Sequence, residues 1–284
     1  MTTLNFIGPI DRLIDMALDE DLGSGDITTQ HLIPAGAQGT ARIIAKELLV
    51  ICGLPVSQRV FQRVAPHIRI DSDHADGDVV NPGQIVARLT GPLAGLLAGE
   101  RVALNFLQRL SGIATHVRTY AQAVTGTAVR LVDTRKTTPG WRVLEKYAVR
   151  IGGGYNHRMG LYDGVLIKDN HIAACGGIQT AVERIRTHTS HLVKIEVETT
   201  TLAEVQEALT AKADVIMLDN MDPATIKKAV ALIAGRALVE VSGGVTLENL
   251  KALANTGVDI ISVGALTHSA RAVDLSMYII AGSA

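Results

Sequence analysis

The sequence predicts an α/β protein whose larger part is built on a parallel sheet, and three observations carry that prediction. From residue 128 onwards the chain runs through six βα units in a row. The expected strands are mostly continuous Val, Ile and Leu rather than clean alternations, as befits strands covered on both faces. Each one ends in a polar or glycine-rich tip, which is where parallel α/β folds place their ligands. An open sheet and a closed one both satisfy this pattern.

The bulk properties set bounds. At 284 residues the chain is long enough for one large domain or two ordinary ones, and 47% hydrophobic against 19% charged residues supports a sizeable core. The formal net charge of −1 argues against a general nucleic-acid or membrane-surface binder, so any basic site is local. Cys52 and Cys175 make no disulfide framework, which suits a reducing compartment. No basic segment followed by a long apolar run opens the sequence, so no signal peptide is expected. The apolar stretch over 91–99 is far short of the ~20 residues a bilayer needs. A cytoplasmic protein without nucleic-acid or membrane partners is the expectation.

Taken in order, Ile10, Leu13, Ile14, Ala17 and Leu18 recur at helical spacing and predict an amphipathic first helix. Asp19-Glu20-Asp21 and Gly23-Ser24-Gly25-Asp26 end it. That acidic cluster reads as a solvated turn, because a Ca²⁺ loop needs stricter ligand spacing. A strand over 41–51, a helix over 55–64 and short strands over 68–70, 78–80 and 84–89 follow, with turns at Gly77 and Asn81-Pro82-Gly83. A long helix comes next. It sets Leu93, Leu96, Leu97, Leu104, Leu107 and Leu110 on one face and Arg101, Asn105, Gln108 and Arg109 on another. Spacing alone makes the polar face solvent-exposed, and Ser111-Gly112 is expected to interrupt the helix before it resumes towards Val124.

The six expected strands cover 129–132, 164–167, 193–197, 215–218, 238–241 and 260–263. Thr138-Pro139 offers an N-cap and N1 proline for a helix that Gly152-Gly153-Gly154 stops. Thr201 with Glu204 makes a capping box. Asp222-Pro223 repeats the cap-and-proline signal, and Thr246 caps a helix ended by Gly257.

The strand tips read Asp133-Thr134-Arg135-Lys136, Lys168-Asp169-Asn170-His171, Glu196 with Glu198, Asp219-Asn220, Ser242-Gly243-Gly244 and Val263-Gly264-Ala265. Asn156-His157-Arg158 adds to the same chemistry. Arg135, Lys136, Arg158 and Lys168 are cations whose crowding is costly unless an anion joins them. Arginine grips carboxylate or phosphate with two hydrogen bonds, and lysine acts as a compact charge. His157, His171 and His268 are possible partners. Glu198 and Asp219 stand at neighbouring tips and have two readings. They can hold Mg²⁺, which accepts one or two carboxylates and completes its shell with water and phosphate, or they can pair with the nearby cations. Glu196 and Glu198 share a strand face with Lys194, which suits an internal ion-pair network. The late glycine tips let backbone N–H groups approach a phosphate. The chain therefore reads as gripping a small molecule with several negative charges.

Long ordered runs carry a resemblance. They are Glu100-Arg101, Leu110-Ser111-Gly112-Ile113-Ala114-Thr115, the octet from Asp133 to Gly140, Lys146-Tyr147-Ala148-Val149-Arg150, Asn156-His157-Arg158 and Lys168-Asp169-Asn170-His171. Glu196-Val197-Glu198, Leu218-Asp219-Asn220, Ser242-Gly243-Gly244 and the run from Val263 to Ser269 join them, as does the early Asp21-Leu22 through Thr29. In these runs the chain resembles the quinolinate phosphoribosyltransferase family, also called nicotinate-nucleotide pyrophosphorylase (carboxylating). The likeness covers nearly the whole chain and departs at no motif position.

That resemblance implies an N-terminal α/β sandwich-like domain over 1–112 and an incomplete (β/α) barrel with parallel strands over 113–284, the last helix packing back on the first domain. It implies conversion of quinolinate and phosphoribosyl pyrophosphate, with Mg²⁺, into nicotinate mononucleotide, pyrophosphate and CO₂ for NAD biosynthesis. It implies a homodimer or higher assembly in which Arg101 reaches the partner's site. It places quinolinate near Arg135, Lys136, His157, Arg158 and Lys168, with Thr134 among the substrate-binding residues, and Mg²⁺ with the ribose pyrophosphate near Glu198 and Asp219. The 5′-phosphate falls at Ser242, Gly243, Gly244, Val263, Gly264 and Ala265, with His268 nearby. Lys136, Lys168, Glu198 and Asp219 are the candidate catalytic groups.

Three rivals are weaker. A diverged relative linked to molybdenum transport shares sequence like Asp133–Thr137, but the run from Lys168 to His171 favours the quinolinate enzyme. A phosphate-binding barrel lyase using Lys136 or Lys168 as a Schiff base would need a lysine among apolar neighbours, whereas these sit among other charges. A binding protein would have no reason to combine metal-type carboxylates with a phosphate rim.

Overall fold

The structure, a computed structural model, describes residues 7–280. They divide into two compact units. The first holds the chain up to Arg118, Thr138–Gly153 and the chain from Ser269; the second holds Thr119–Thr137 and Gly154–His268.

The chain opens with α1 (Ile7–Leu22), α2 (Ile27–Leu32), β1 (Gln38–Ala45), β2 (Leu49–Val50), α3 (Leu54–Val64), β3 (Arg69–Asp71), β4 (Val79–Val80), β5 (Ile85–Pro92) and α4 (Leu93–Ala123). Next come β6 (Arg130–Val132), α5 (Arg142–Gly152), β7 (Val165–Ile167), α6 (Asp169–Cys175), α7 (Ile178–His188) and β8 (Ile195–Thr199). It finishes with α8 (Leu202–Thr210), β9 (Val215–Asp219), α9 (Pro223–Ile233), β10 (Leu238–Ser242), α10 (Leu247–Ala254), β11 (Ile260–Ser262), α11 (Ala265–His268) and β12 (Leu275–Ile280).

The first unit is organised by an antiparallel sheet in the order β12-β1-β5-β3. Ala41, Ile43 and Ala45 of β1 are buried at alternate positions, the period expected when one face meets the core. Several expectations are corrected here. The last described element is a strand and not a helix: β12 buries Leu275 and Met277 alternately and pairs with β1. The long helix is unbroken at Ser111-Gly112. Gly112 is there because the Arg271 carbonyl approaches where a Cβ would stand, and buried Ser111 exchanges hydrogen bonds with the Cys52 backbone. Thr138-Pro139 does not cap a helix. Trp141 closes a turn on the Thr138 carbonyl and α5 starts at Arg142, while Thr138 donates its backbone and hydroxyl hydrogens to Glu145.

The second unit carries six parallel strands in the order β6-β11-β10-β9-β8-β7. The first strand lies beside the last, so the sheet curls towards closure and stays open between β6 and β7. Tyr155 partly fills that opening through a bridge to Val132, donating to the Leu131 carbonyl at 2.8 Å and accepting from Asp133 at 3.1 Å. The sheet is thus an incomplete barrel. The capping box at Thr201 and Glu204, the Asp222 cap with Pro223, and the left-handed Gly153 stop are all present. Cys52 and Cys175 are free thiols. No helix of the described residues is long and apolar enough to cross a membrane.

Candidate active site

The carboxyl ends of the second unit's strands surround a cavity of about 640 Å³. On one side stand Thr134, Arg135 and Lys136 after β6, His157 and Arg158 in the barrel opening, and Lys168 after β7. Next to Lys168 in the strand order are Glu198 and Asp219 at the ends of β8 and β9. Ser242, Gly243 and Gly244 after β10, and Val263, Gly264, Ala265 and His268 after β11, also line it, as do Glu240 and Ser262 from within β10 and β11. The structure thus brings together every expected site residue except Arg101, which sits exposed on α4 in the first unit. His171 is not in the lining. Its Nδ1 accepts from the Lys168 backbone at 3.0 Å at the start of α6.

The basic tip is held by tight local bonds. The Lys136 amide donates to Thr134 Oγ1 at 3.0 Å, the Thr137 amide to the Arg135 carbonyl at 2.9 Å, and Thr267 Oγ1 to the Lys136 carbonyl at 2.7 Å. Asp133 is fully buried. Its two oxygens take the His157 amide at 2.9 Å and the Asn156 side chain at 2.6 Å, which ties the segment in the barrel opening to the end of β6. Burial, then the neighbouring Arg135 guanidinium, draw the Arg158 pKa downwards, with Glu196 and Asp163 opposing. Two guanidiniums are therefore held near each other in partial desolvation, an arrangement that an incoming anion relieves.

Lys168 Nζ donates to Glu198 Oε2 at 2.6 Å, so the ion-pair reading of Glu198 is realised. Asp219 takes a hydrogen bond from its neighbour Asn220 at 2.7 Å. Asn220 has φ of 54° and Gly243 φ of 85°, and the Asn220 amide fills the place of a Gly243 Cβ. The glycine is thus required twice, by its left-handed backbone and by close approach. At Gly264 a Cβ would lie 2.9 Å from Lys136 Cδ and 3.2 Å from His268 Nε2, so only glycine leaves both side chains where they are.

The internal network foreseen for Glu196, Glu198 and Lys194 takes a different form. Glu196 is buried and pairs with His157 Nε2 at 3.1 Å. Beside it stands Glu240, 2% exposed and 3.7 Å from the same nitrogen. Burial, then the Glu196 charge, raise Glu240 from 4.5 to about 8. Sequence reasoning did not single out Glu240. Its one signal was a carboxylate inside an apolar strand, which a buried position tolerates only with partners.

Fold and site define a parallel barrel protein with cations, carboxylates and glycines gathered on one rim. Its sequence carries the match to a known family: the quinolinate phosphoribosyl transferase N-terminal domain profile fits residues 26–111 and the C-terminal domain profile fits 113–278. A probable nicotinate-nucleotide pyrophosphorylase (carboxylating) of Bacillus subtilis is 47% identical over 267 residues, spanning 94% of this chain and 92% of its own. One from Synechocystis is 49% identical over 276 residues, spanning 95% and 92%. The crystal structure of NadC from Streptococcus pyogenes superposes with a TM-score of 0.92 at 42% identity, covering 95% of each chain. The chain belongs to the quinolinate phosphoribosyl transferase family.

Proposed function

We propose that this chain transfers the phosphoribosyl group of phosphoribosyl pyrophosphate to quinolinate and releases CO₂, giving nicotinate mononucleotide and pyrophosphate for NAD biosynthesis. The observation that carries this reading is the make-up of one cavity. Four cations, two carboxylates and glycine-rich tips line it together, with Lys168 paired to Glu198 and Gly264 against Lys136. In a member of this family, that set suits a pyridine dicarboxylate beside an activated sugar phosphate.

Arg135 and Arg158 grip the quinolinate carboxylates, with Lys136 and Lys168 adding positive charge. The amides around Gly243, Gly244 and Gly264 receive the 5′-phosphate. Holding both substrates in register converts an encounter into a local reaction. The ring nitrogen bonds to the ribose carbon as pyrophosphate departs. Positive charge developing on the ribose is stabilised by Glu198 or Asp219. The positive charge on the new pyridinium nitrogen then stabilises the electron pair left on the adjacent ring carbon when its carboxylate departs as CO₂, and that carbon takes up a proton. Lys136 or Lys168 is the candidate to assist this loss. Glu198 and Asp219 are a hard oxygen pair of the kind that Mg²⁺ accepts together with water and phosphate, and the ion would neutralise pyrophosphate charge. Assay of quinolinate loss with and without phosphoribosyl pyrophosphate and Mg²⁺ tests the whole reading. Arg135→Ala should raise the quinolinate KM about tenfold or more, the size of a lost charge-assisted hydrogen bond, and leave that of phosphoribosyl pyrophosphate nearly unchanged. Equal loss for both would sink the assignment.

A cytoplasmic homodimer or higher assembly, with Arg101 completing a partner's site, belongs to the same proposal. Its support is the exposure of Arg101 on α4 and the family resemblance around Glu100-Arg101. Mixed dimers of Arg101→Ala and Lys136→Ala chains should regain part of the activity that each variant lacks alone. Verified mixed dimers that stay inactive would remove the shared site.

A further inference from the structure

Resting on that reading, we propose that Glu240 is a positioning residue: protonated, it donates to Glu196, keeps His157 in its Nε2–H form, and so fixes the turn that presents Arg158 to the anion cavity. The argument starts with hydrogen atoms. Glu196 Oε1 and Glu240 Oε1 are both buried with no hydrogen-bond partner. Glu196, Glu240 and His157 each place one ligand-type atom within 4.8 Å of the others. Two buried carboxylates side by side need a donor between them. The histidine cannot supply both. Its Nδ1 accepts from the Arg158 amide at 2.7 Å, so the one ring hydrogen sits on Nε2 and points at Glu196 Oε2, 3.1 Å away. A proton on Glu240 supplies what is missing.

The same bond disfavours a metal among these three side chains. A cation would need the Nε2 lone pair while Nδ1 also serves as acceptor, and the ring would have to be an imidazolate. Bound histidines ordinarily donate from the second nitrogen. The rise of Glu240 to about 8 agrees with a retained proton. Facing Glu240 are Glu196 from β8, His157 from the segment in the barrel opening and Ser262 from β11. Glu240 and Arg158 also border a second cavity of about 430 Å³, to which Arg130, Lys194 and Asp163 contribute.

The consequence reaches the substrate through His157. Its amide is held by Asp133 and its ring by Glu196, so the turn at 157–158 is pinned at both ends, and Arg158 Nη1 donates to the Gly164 carbonyl at 3.0 Å. With Glu240 ionised, two negative charges would face one ring hydrogen, and Nδ1 would gain a proton at the cost of its bond to Arg158. Above about pH 8, the quinolinate KM should therefore rise.

The test compares Glu240→Gln with Glu240→Ala, using steady-state kinetics across pH and ¹⁵N NMR of the His157 ring. Glutamine keeps a donor, so Glu240→Gln should hold the quinolinate KM within about twofold and abolish its alkaline rise, while Glu240→Ala raises it about tenfold with kcat and the phosphoribosyl pyrophosphate KM much less affected. The ring should be protonated on Nε2 alone in wild type and in Glu240→Gln. Equal impairment of the two variants, an unchanged alkaline rise in Glu240→Gln, or a wild-type ring protonated on Nδ1 would each overturn the proposal. The NMR readout needs no turnover: an Nε2–H ring in a wild type that leaves quinolinate unconsumed would defeat the functional reading and spare the positioning device.

Discussion

The two units bury carboxylates in different ways. In the first unit, Asp76 takes the Gly53 amide at 2.8 Å, the Leu54 amide at 3.0 Å and the Tyr147 hydroxyl at 2.7 Å. Glu145, wholly buried, takes Arg109 and the Thr138 hydroxyl at 2.9 Å and the Thr138 amide at 3.1 Å. In the second unit, buried Asp133 is satisfied in the same way, but Glu196 and Glu240 each keep an oxygen without a donor. Satisfied buried charge holds a scaffold, and unsatisfied buried charge marks a place where protonation or function has to complete the accounting. The difference teaches where to look: the first unit's buried carboxylates are spent on architecture, and the second unit keeps a pair, Glu196 and Glu240, that is left over for chemistry.

The sharpest way to break that contrast is Glu145→Ala. It takes the carboxylate from the Arg109 guanidinium, which keeps the Ala270 carbonyl, and removes the acceptor of both Thr138 donors. Removing one partner of a buried pair costs about 3–5 kcal/mol. Denaturant unfolding should register a loss of that size, with activity recoverable where the chain remains folded. A loss under about 1 kcal/mol would mean that the network is ornamental.

The next largest effect is a pH slope. The folded chain keeps the Glu240 proton to about pH 8, whereas the unfolded chain releases it near 4.5. The folded state therefore binds more protons across that window, and stability falls as pH rises through it. The fall should amount to a few kcal/mol at most, since one pKa unit is worth about 1.4 kcal/mol and neighbours share the shift. Glu240→Gln has no proton to lose, so its unfolding free energy should be flatter between these limits. Identical slopes in the two proteins would assign the pH dependence elsewhere.

These differences also explain what could be read in the sequence. Arg135, Lys136, Arg158 and Lys168 stood out because crowded cations at strand ends break a local rule, and the βα rhythm put them on one rim. Thr201 with Glu204 and Asp222 with Pro223 were legible because capping is settled within four residues. Glu240 was not, because its meaning depends on the pairing order that sets β10 two strands from β8. The final strand was hidden for a similar reason. Its partner β1 lies more than two hundred residues earlier, as the pairing of Ile43 with Met277 shows. At Gly112, glycine read as a breaker where it was a clearance, which only the neighbouring Arg271 carbonyl reveals.

The smallest expected effect tests the contrast from the other side. Arg59 grips Asp11 with two hydrogen bonds, Nε to Oδ1 at 2.6 Å and Nη2 to Oδ2 at 2.5 Å, and joins α3 to α1. This pair is as well formed as the one at Glu145, but its side chains are 38% and 22% exposed. Hydrogen bonding to Arg59 lowers the Asp11 pKa, so the pair stabilises the fold above the unfolded carboxylate's range and fades as pH drops through the folded value. Water competes for both partners and salt screens them. Asp11→Asn should therefore cost no more than about 1 kcal/mol, shrinking further in ~1 M salt. Thermal unfolding at two ionic strengths measures it. A cost matching that of Glu145→Ala, insensitive to salt, would show that geometry and not burial decides what a charge is worth in this unit, and the contrast between the two units would lose its physical basis.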